Sequence, residues 1–279
     1  MNIELPEARI LAEQLDSAIK GKTIKEYDLK DVERMIKIGF LNKDLSEFEP
    51  IMDKKVLGAI SRGNTIRVQL EGEMNILIGP EYGGVLTYLK EGSKVPKYHL
   101  KLVFYDGSIL TTRITSMGIV YAVADDKLTE SYLYNRDFMG GVSPNEMGFT
   151  WEWFKVTIGA ENRQLKPLLV GKDAYIIGVS NATFQDVIYR AKIHPKRKAS
   201  DLSEDELHAL YEAIKTVVSE RLEMNGKDQF RDIYGVQGGY VATMGPNMKN
   251  QNCPRCGSAI EKLAHGGGSV YLCPVCQKE

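Results

Sequence analysis

Four cysteines constrain this chain more than any other feature, because all of them fall in its last 27 residues as two C-x2-C pairs, Cys253-Pro254-Arg255-Cys256 and Cys273-Pro274-Val275-Cys276. Sixteen residues separate the pairs. Two such knuckles bring four thiolates to one tetrahedral Zn2+, and the prolines and Gly257 suit the tight turns that a knuckle needs. The competing use, two disulfides, requires an oxidising compartment, and the chain shows no secretory leader. Four sulfur ligands close the metal's coordination shell, so the zinc is expected to be structural rather than catalytic. A module this small has little core of its own, and metal binding should be part of its folding.

The other 250 or so residues read as an ordinary globular protein, with 43% hydrophobic and 26% charged residues among 279. No run of eighteen apolar residues is present, so no membrane-spanning segment is expected, and the chain reads as a cytoplasmic monomer. Its formal net charge of -1 argues against whole-surface attraction to a polyanion. A local basic stretch runs against that average. Between Glu161 and Ser200, eight Lys and Arg (Arg163, Lys166, Lys172, Arg190, Lys192, Lys196, Arg197, Lys198) face three Asp and Glu.

Apolar spacing divides the chain into parts. Pro6 in the first turn, Glu4 and Glu7 at the positive end of the dipole, and Ala8, Leu11, Ala12, Leu15, Ala18 and Ile19 at three- and four-residue spacing predict a helix from Leu5 to Gly21. The period then drops to two: "TIRVQL", "NILIG", "VLTYL", "LKLVFY" and "SILTTRI" read as short strands, with a hairpin turn at Tyr105-Asp106-Gly107-Ser108. Helices are predicted at Leu165–Val170, at Asn181–Lys192 and at Ser203–Met224, the last opened by a capping box of Ser203 and Glu206. The Gly- and Asn-rich stretch from Gly226 to Gln251 reads as a linker. The fold expected is α+β: a β-sandwich with a leading helix over 1–125, a helical module over 126–245 and a zinc ribbon over 246–279.

Taken in order, "ELPEAR" at the start, "GVSN" at Gly178–Asn181, "IHP" at Ile193–Pro195 and the ribbon spacing resemble the formamidopyrimidine-DNA glycosylase/endonuclease VIII family over essentially the whole chain. The resemblance implies a helix–two-turn–helix module and base-excision chemistry on a nucleotide flipped from duplex DNA. In that chemistry the amine of an N-terminal proline forms a Schiff base at the sugar, and the adjacent glutamate handles protons.

Carried over residue by residue, the resemblance places the catalytic glutamate at Glu4 and a second acid at Glu7, with the simple alternative that Glu4 is a helix-start carboxylate. The proline position holds Ile3, preceded by Met1 and Asn2, which would displace the amine by about 7 Å at roughly 3.3–3.6 Å per residue. The family's β-domain lysine falls at Asn64, its intercalating methionine in "IGPEYGG", its arginine–phenylalanine pair at Thr115-Ser116-Met117-Gly118, and its ribbon arginine at or near Gly268. Tyr82 or Met117 is either a base wedge or an ordinary loop residue. Lys166 and Asn181 match positions that contact the DNA backbone, although Asn181 also suits a helix N-cap.

The expectation is therefore a family protein that binds double-stranded DNA weakly and has lost Schiff-base glycosylase/lyase catalysis. The alternatives are a working glycosylase dependent on Glu4, and a binding protein for RNA, a protein or a small molecule.

Overall fold

The computed structural model describes residues 3–279, in two compact units. One unit comprises residues up to 139 together with 224–239, and the other comprises 140–223 together with 240–279.

In the first unit, helix α1 (Leu5–Ile19) buries Leu5, Ala8, Leu11, Leu15 and Ile19, the stripe predicted from their spacing. It lies against a six-stranded antiparallel sheet with the order β1-β5-β6-β4-β3-β2. The strands are β1 (Ile24–Leu29), β2 (Val56–Arg62), β3 (Thr65–Leu70), β4 (Met74–Leu89), β5 (Leu100–Phe104) and β6 (Ile109–Ala124). A short helix, α2 (Val32–Lys37), follows β1, and the single turn α3 (Tyr132–Tyr134) follows β6. The Asp16 carboxylate accepts from the Ala59 amide at 2.9 Å, fixing α1 on β2.

The predicted strands "NILIG" and "VLTYL" are one strand, β4, paired along its length with β6. The register breaks between Gly79 and Gly84, a bulge that bends the long pair within the one sheet. Gly118, opposite the bend at φ +154°, leaves no room for a Cβ, which would stand 2.2 Å from the Gly79 carbonyl. The predicted turn at Tyr105–Ser108 is present, closed by Phe104 N–H to the Ser108 carbonyl at 2.9 Å.

The second unit holds helices α4 (Trp151–Thr157), α5 (Leu165–Leu169), α6 (Asn181–Arg190) and α7 (Glu204–Glu223), then the hairpin β7 (Glu261–His265) and β8 (Gly268–Leu272). Phe154, Leu165, Leu168, Phe184, Ile188, Leu210 and Ile214 are fully buried at its centre. The predicted capping box opens α7: Glu206 N–H donates to Ser203 Oγ at 3.2 Å, and Ser203 N–H donates to Glu206 Oε2 at 2.8 Å. The cap of α6 differs from the expectation. Ser180 caps it, accepting from Ala182 N–H, and Asn181 is the first helical residue.

Candidate nucleic-acid site and zinc centre

In the first unit, the residues of "IELPE" form a tight buried group. Glu4 is the N-cap of α1; its carboxylate accepts from the Glu7 amide, and its own amide donates to Glu7 Oε2 at 3.1 Å. Both carboxylates are 0% exposed. The Lys227 ammonium faces both carboxylates, with Nζ 3.4 Å from Glu4 Oε2 and 3.9 Å from Glu7 Oε2. The Lys227 amide also donates to Glu7 Oε1 at 3.1 Å. The positive φ of Gly226 (+87°) turns the chain here, and a Cβ on it would strike the Phe230 ring at 2.5 Å. Lys227 sits in the stretch read as a linker, where no motif marks it.

Ile3, at the family's proline position, is buried, and its backbone N–H donates to the Glu81 carbonyl at 2.9 Å. The Glu81 side chain pairs with Arg136, whose guanidinium also grips Asp137 at 2.6 Å. The loop expected to carry an intercalating residue is thus tied to the chain start by its backbone. Beyond it Tyr82 lies opposite Met117 across the β4–β6 pair, 37% and 50% exposed. Asn64, at the β-domain lysine position, is fixed through its amide to Asp137 Oδ2 at 3.1 Å. The expected displacement of the terminal amine falls on Met1 and Asn2, which lie outside the described residues.

In the second unit, Cys253, Cys256, Cys273 and Cys276 place their sulfurs within 4.8 Å of one another. Cys256 to Cys273 is 3.4 Å and Cys253 to Cys276 is 3.9 Å. A zinc tetrahedron with Zn–S near 2.3 Å requires sulfurs about 3.8 Å apart, so the four residues fit one structural Zn2+ with no position left open. Several bonds hold the ribbon to the helical module. The Tyr189 hydroxyl meets Cys253 Sγ at 3.2 Å, Gln185 Oε1 accepts from the Tyr271 amide at 2.8 Å, and Gln277 donates to the Ile193 carbonyl at 3.0 Å.

The predicted backbone-binding pair meets at the ribbon tip. Lys166 on α5 is buried, and Nζ donates to the His265 carbonyl at 2.6 Å; burial pushes its pKa down. Asn181 Nδ2 donates to the Ser269 carbonyl at 2.9 Å. Glycines permit this approach, because a Cβ at Gly266 would stand 2.9 Å from Lys166 Cδ. Two buried polar atoms at the tip, Asn181 Oδ1 and His265 Nε2, have no hydrogen-bond partner among the described residues.

The basic stretch is less available than its count suggests. Arg163 pairs with Glu161, Arg190 with Asp186 and Glu220, Lys196 with Glu279, and Arg197 with Glu206.

These arrangements have relatives. Residues 141–231 match the formamidopyrimidine-DNA glycosylase H2TH domain, and residues 250–278 match the zinc finger found in FPG and IleRS. A formamidopyrimidine-DNA glycosylase of Pelotomaculum thermopropionicum is 30% identical over 282 residues, covering 99% of each chain. The chain belongs to the formamidopyrimidine-DNA glycosylase family. The enzyme of that name from Heliobacterium modesticaldum is 27% identical, again over 99% of each chain. Among solved structures, the Lactococcus lactis Fpg in complex with abasic-site DNA superposes with a TM-score of 0.84 at 21% identity, over 99% of this chain and 100% of that one. Thermus thermophilus MutM (Fpg) gives 0.82 at 23% identity, with 99% coverage of both. These likenesses establish the α+β fold, with its helix–two-turn–helix module and zinc finger.

Proposed function

We propose that this glycosylase-family chain binds duplex DNA and does not carry out the Schiff-base glycosylase/lyase reaction through an N-terminal proline amine. One observation carries the second half. The nitrogen beside Glu4, at the proline position, belongs to Ile3, is an amide in sequence, and donates its hydrogen to the Glu81 carbonyl. An amide lone pair is delocalised into its carbonyl and does not attack a sugar carbon. Glu4 supports the same reading, because it is fully buried, caps α1 and faces Lys227. DNA binding is supported by the family and by Lys166 and Asn181, gathered with polar atoms at the ribbon tip where helix-start and glycine-rich backbone suit a phosphate.

One observation favours a second reading, an enzyme with altered, Glu4-dependent machinery: Lys227 is itself an amine beside two carboxylates. That amine is held in ion pairs with both carboxylates, 3.4 Å from Glu4 Oε2 and 3.9 Å from Glu7 Oε2, so this reading is placed second.

Binding is tested by fluorescence anisotropy with a duplex holding one abasic site, over a salt series. The expected result is a Kd that rises steeply with salt, because phosphate binding releases counterions. A salt-independent Kd, or no binding at the lowest salt, would move the function to a partner other than DNA, such as a protein or small molecule.

A further inference from the structure

One face of α6 meets the ribbon at three successive turns. Asn181, Gln185 and Tyr189 stand four residues apart, so their side chains share one side of the helix. Asn181 Nδ2 donates to the Ser269 carbonyl at 2.9 Å, Gln185 Oε1 accepts from the Tyr271 amide at 2.8 Å, and the Tyr189 hydroxyl lies 3.2 Å from Cys253 Sγ. The stripe thus runs from the hairpin to the metal ligands. Its first two contacts end on backbone groups. Tyr189 alone of the three reaches a zinc ligand.

Both partners of that contact are held in place. Tyr189 is 1% exposed and packs in a buried cluster with Met244, Cys253, Tyr271 and Cys273. The first knuckle grips it from a second side. Arg255 lies over the ring, with Cζ 4.4 Å from the centroid, and its Nη1 donates to the Tyr189 carbonyl at 3.1 Å. Cys253 is fixed by its own backbone, since its amide donates to the Ser258 carbonyl at 2.7 Å and its carbonyl accepts from the Gly257 amide at 2.8 Å.

The chemistry of the ligand sets the direction of the bond. A cysteine that binds zinc is a thiolate and carries no proton. The phenol keeps its proton at neutral pH, so the hydroxyl donates and the sulfur accepts. Four thiolates around one Zn2+ leave the centre with an excess of negative charge. A hydrogen bond from a buried hydroxyl to such a sulfur is charge-assisted, and it offsets that excess where water is excluded. It also fixes the direction from which the sulfur meets the metal.

We propose that Tyr189 is a positioning residue of the zinc centre, its hydroxyl donating to the Cys253 thiolate and slowing loss of the metal. Retention of zinc is thereby coupled to α6, an element outside the ribbon, whether or not the chain binds DNA. The spacing of the cysteines gives no hint of this partner, because Tyr189 lies 64 positions from Cys253.

The test uses the full-length zinc-loaded protein and Tyr189→Phe, which keeps the ring and removes the hydroxyl alone. Equal far-ultraviolet circular dichroism of the two loaded proteins checks the fold. Zinc is withdrawn with an excess of chromogenic chelator, and its release is followed by absorbance. Tyr189→Phe is expected to lose zinc about tenfold faster, the order of effect that loss of an outer partner has on a metal site. Tyr271→Phe, which removes another phenolic hydroxyl from the same buried cluster, is expected to release zinc at the wild-type rate. In Co2+-substituted protein the thiolate-to-metal charge-transfer band of Tyr189→Phe is expected at lower energy, because a sulfur without its hydrogen bond gives up electron density more readily. An unchanged release rate, an unchanged band, or an equal acceleration in Tyr271→Phe overturns the proposal; the last would assign the effect to packing of the cluster.

Discussion

At the residue scale, Lys227 bears most on the account. Two carboxylates at 0% exposure share the Lys227 ammonium, which is itself mostly buried. Removing one partner of a buried pair costs about 3–5 kcal/mol, because the charge left behind is uncompensated. Lys227→Ala is therefore expected to lose about 3 kcal/mol in urea unfolding, whereas a loss below about 1 kcal/mol would mean that the carboxylates are neutral or solvated. Nothing in the sequence near residue 227 announces this role, because its partners lie some 220 positions away. Glu4 and Glu7, in contrast, were legible from their three-residue spacing before an apolar stripe. His99 supplies the pH test. Burial holds its pKa below the ordinary 6.5, a shift opposed by Asp31 and reinforced by Arg113 and Arg34. Between that lowered value and about 6.5 the unfolded chain binds more protons than the folded one. Its contribution to stability is thus complete above about pH 6.5 and declines as the pH falls below it. His99→Gln, which keeps an acceptor for the Ile114 amide, should flatten the fall in unfolding free energy between pH 7 and pH 5. An identical fall in the variant would show that His99 is not the group responsible; His194 and His265 are shifted the same way.

At the element scale, the ribbon was the most legible part, because four thiols at fixed spacing have one common geometric solution. The prediction is one Zn2+ per chain and four thiols that react with a thiol reagent only after chelation, with loss of the β7–β8 hairpin's protection from exchange. Four thiols reacting at once in metal-replete protein would contradict it. The longer helices were nearly as legible, since α1 and α7 carry their own caps and stripes, whereas the short α2 and α4 went unread. The strands were less so. β1 and β2 went unread because their exposed and buried residues do not alternate cleanly. β4 was read as two strands because Gly79, Gly83 and Gly84 resemble a turn, whereas they form a bend within one strand. Glycine marks a backbone need, and both outcomes satisfy it.

At the scale of the whole molecule, order along the chain and order in space part company. The stretch read as a linker divides between the two units, with 224–239 in the first and the residues from 240 onward in the second. The basic count from 161 to 200 likewise overstated the available charge, since partners such as Glu206, Glu220 and Glu279 lie outside that stretch. What the chain shares with its family is the α+β frame, with its helical module and zinc finger. On the reading proposed above, it lacks the side chains that the resemblance assigns to the reacting amine and the wedge. The most direct measurement is sodium borohydride trapping on duplex DNA with one abasic site, read on a denaturing gel beside a native gel of the same mixture. A salt-sensitive shift on the native gel and no covalent band on the denaturing one are expected. A covalent band would contradict the proposed function. If that band were lost in Lys227→Ala, the lysine would be the nucleophile; if it persisted there, the chain's own terminus would still reach the sugar.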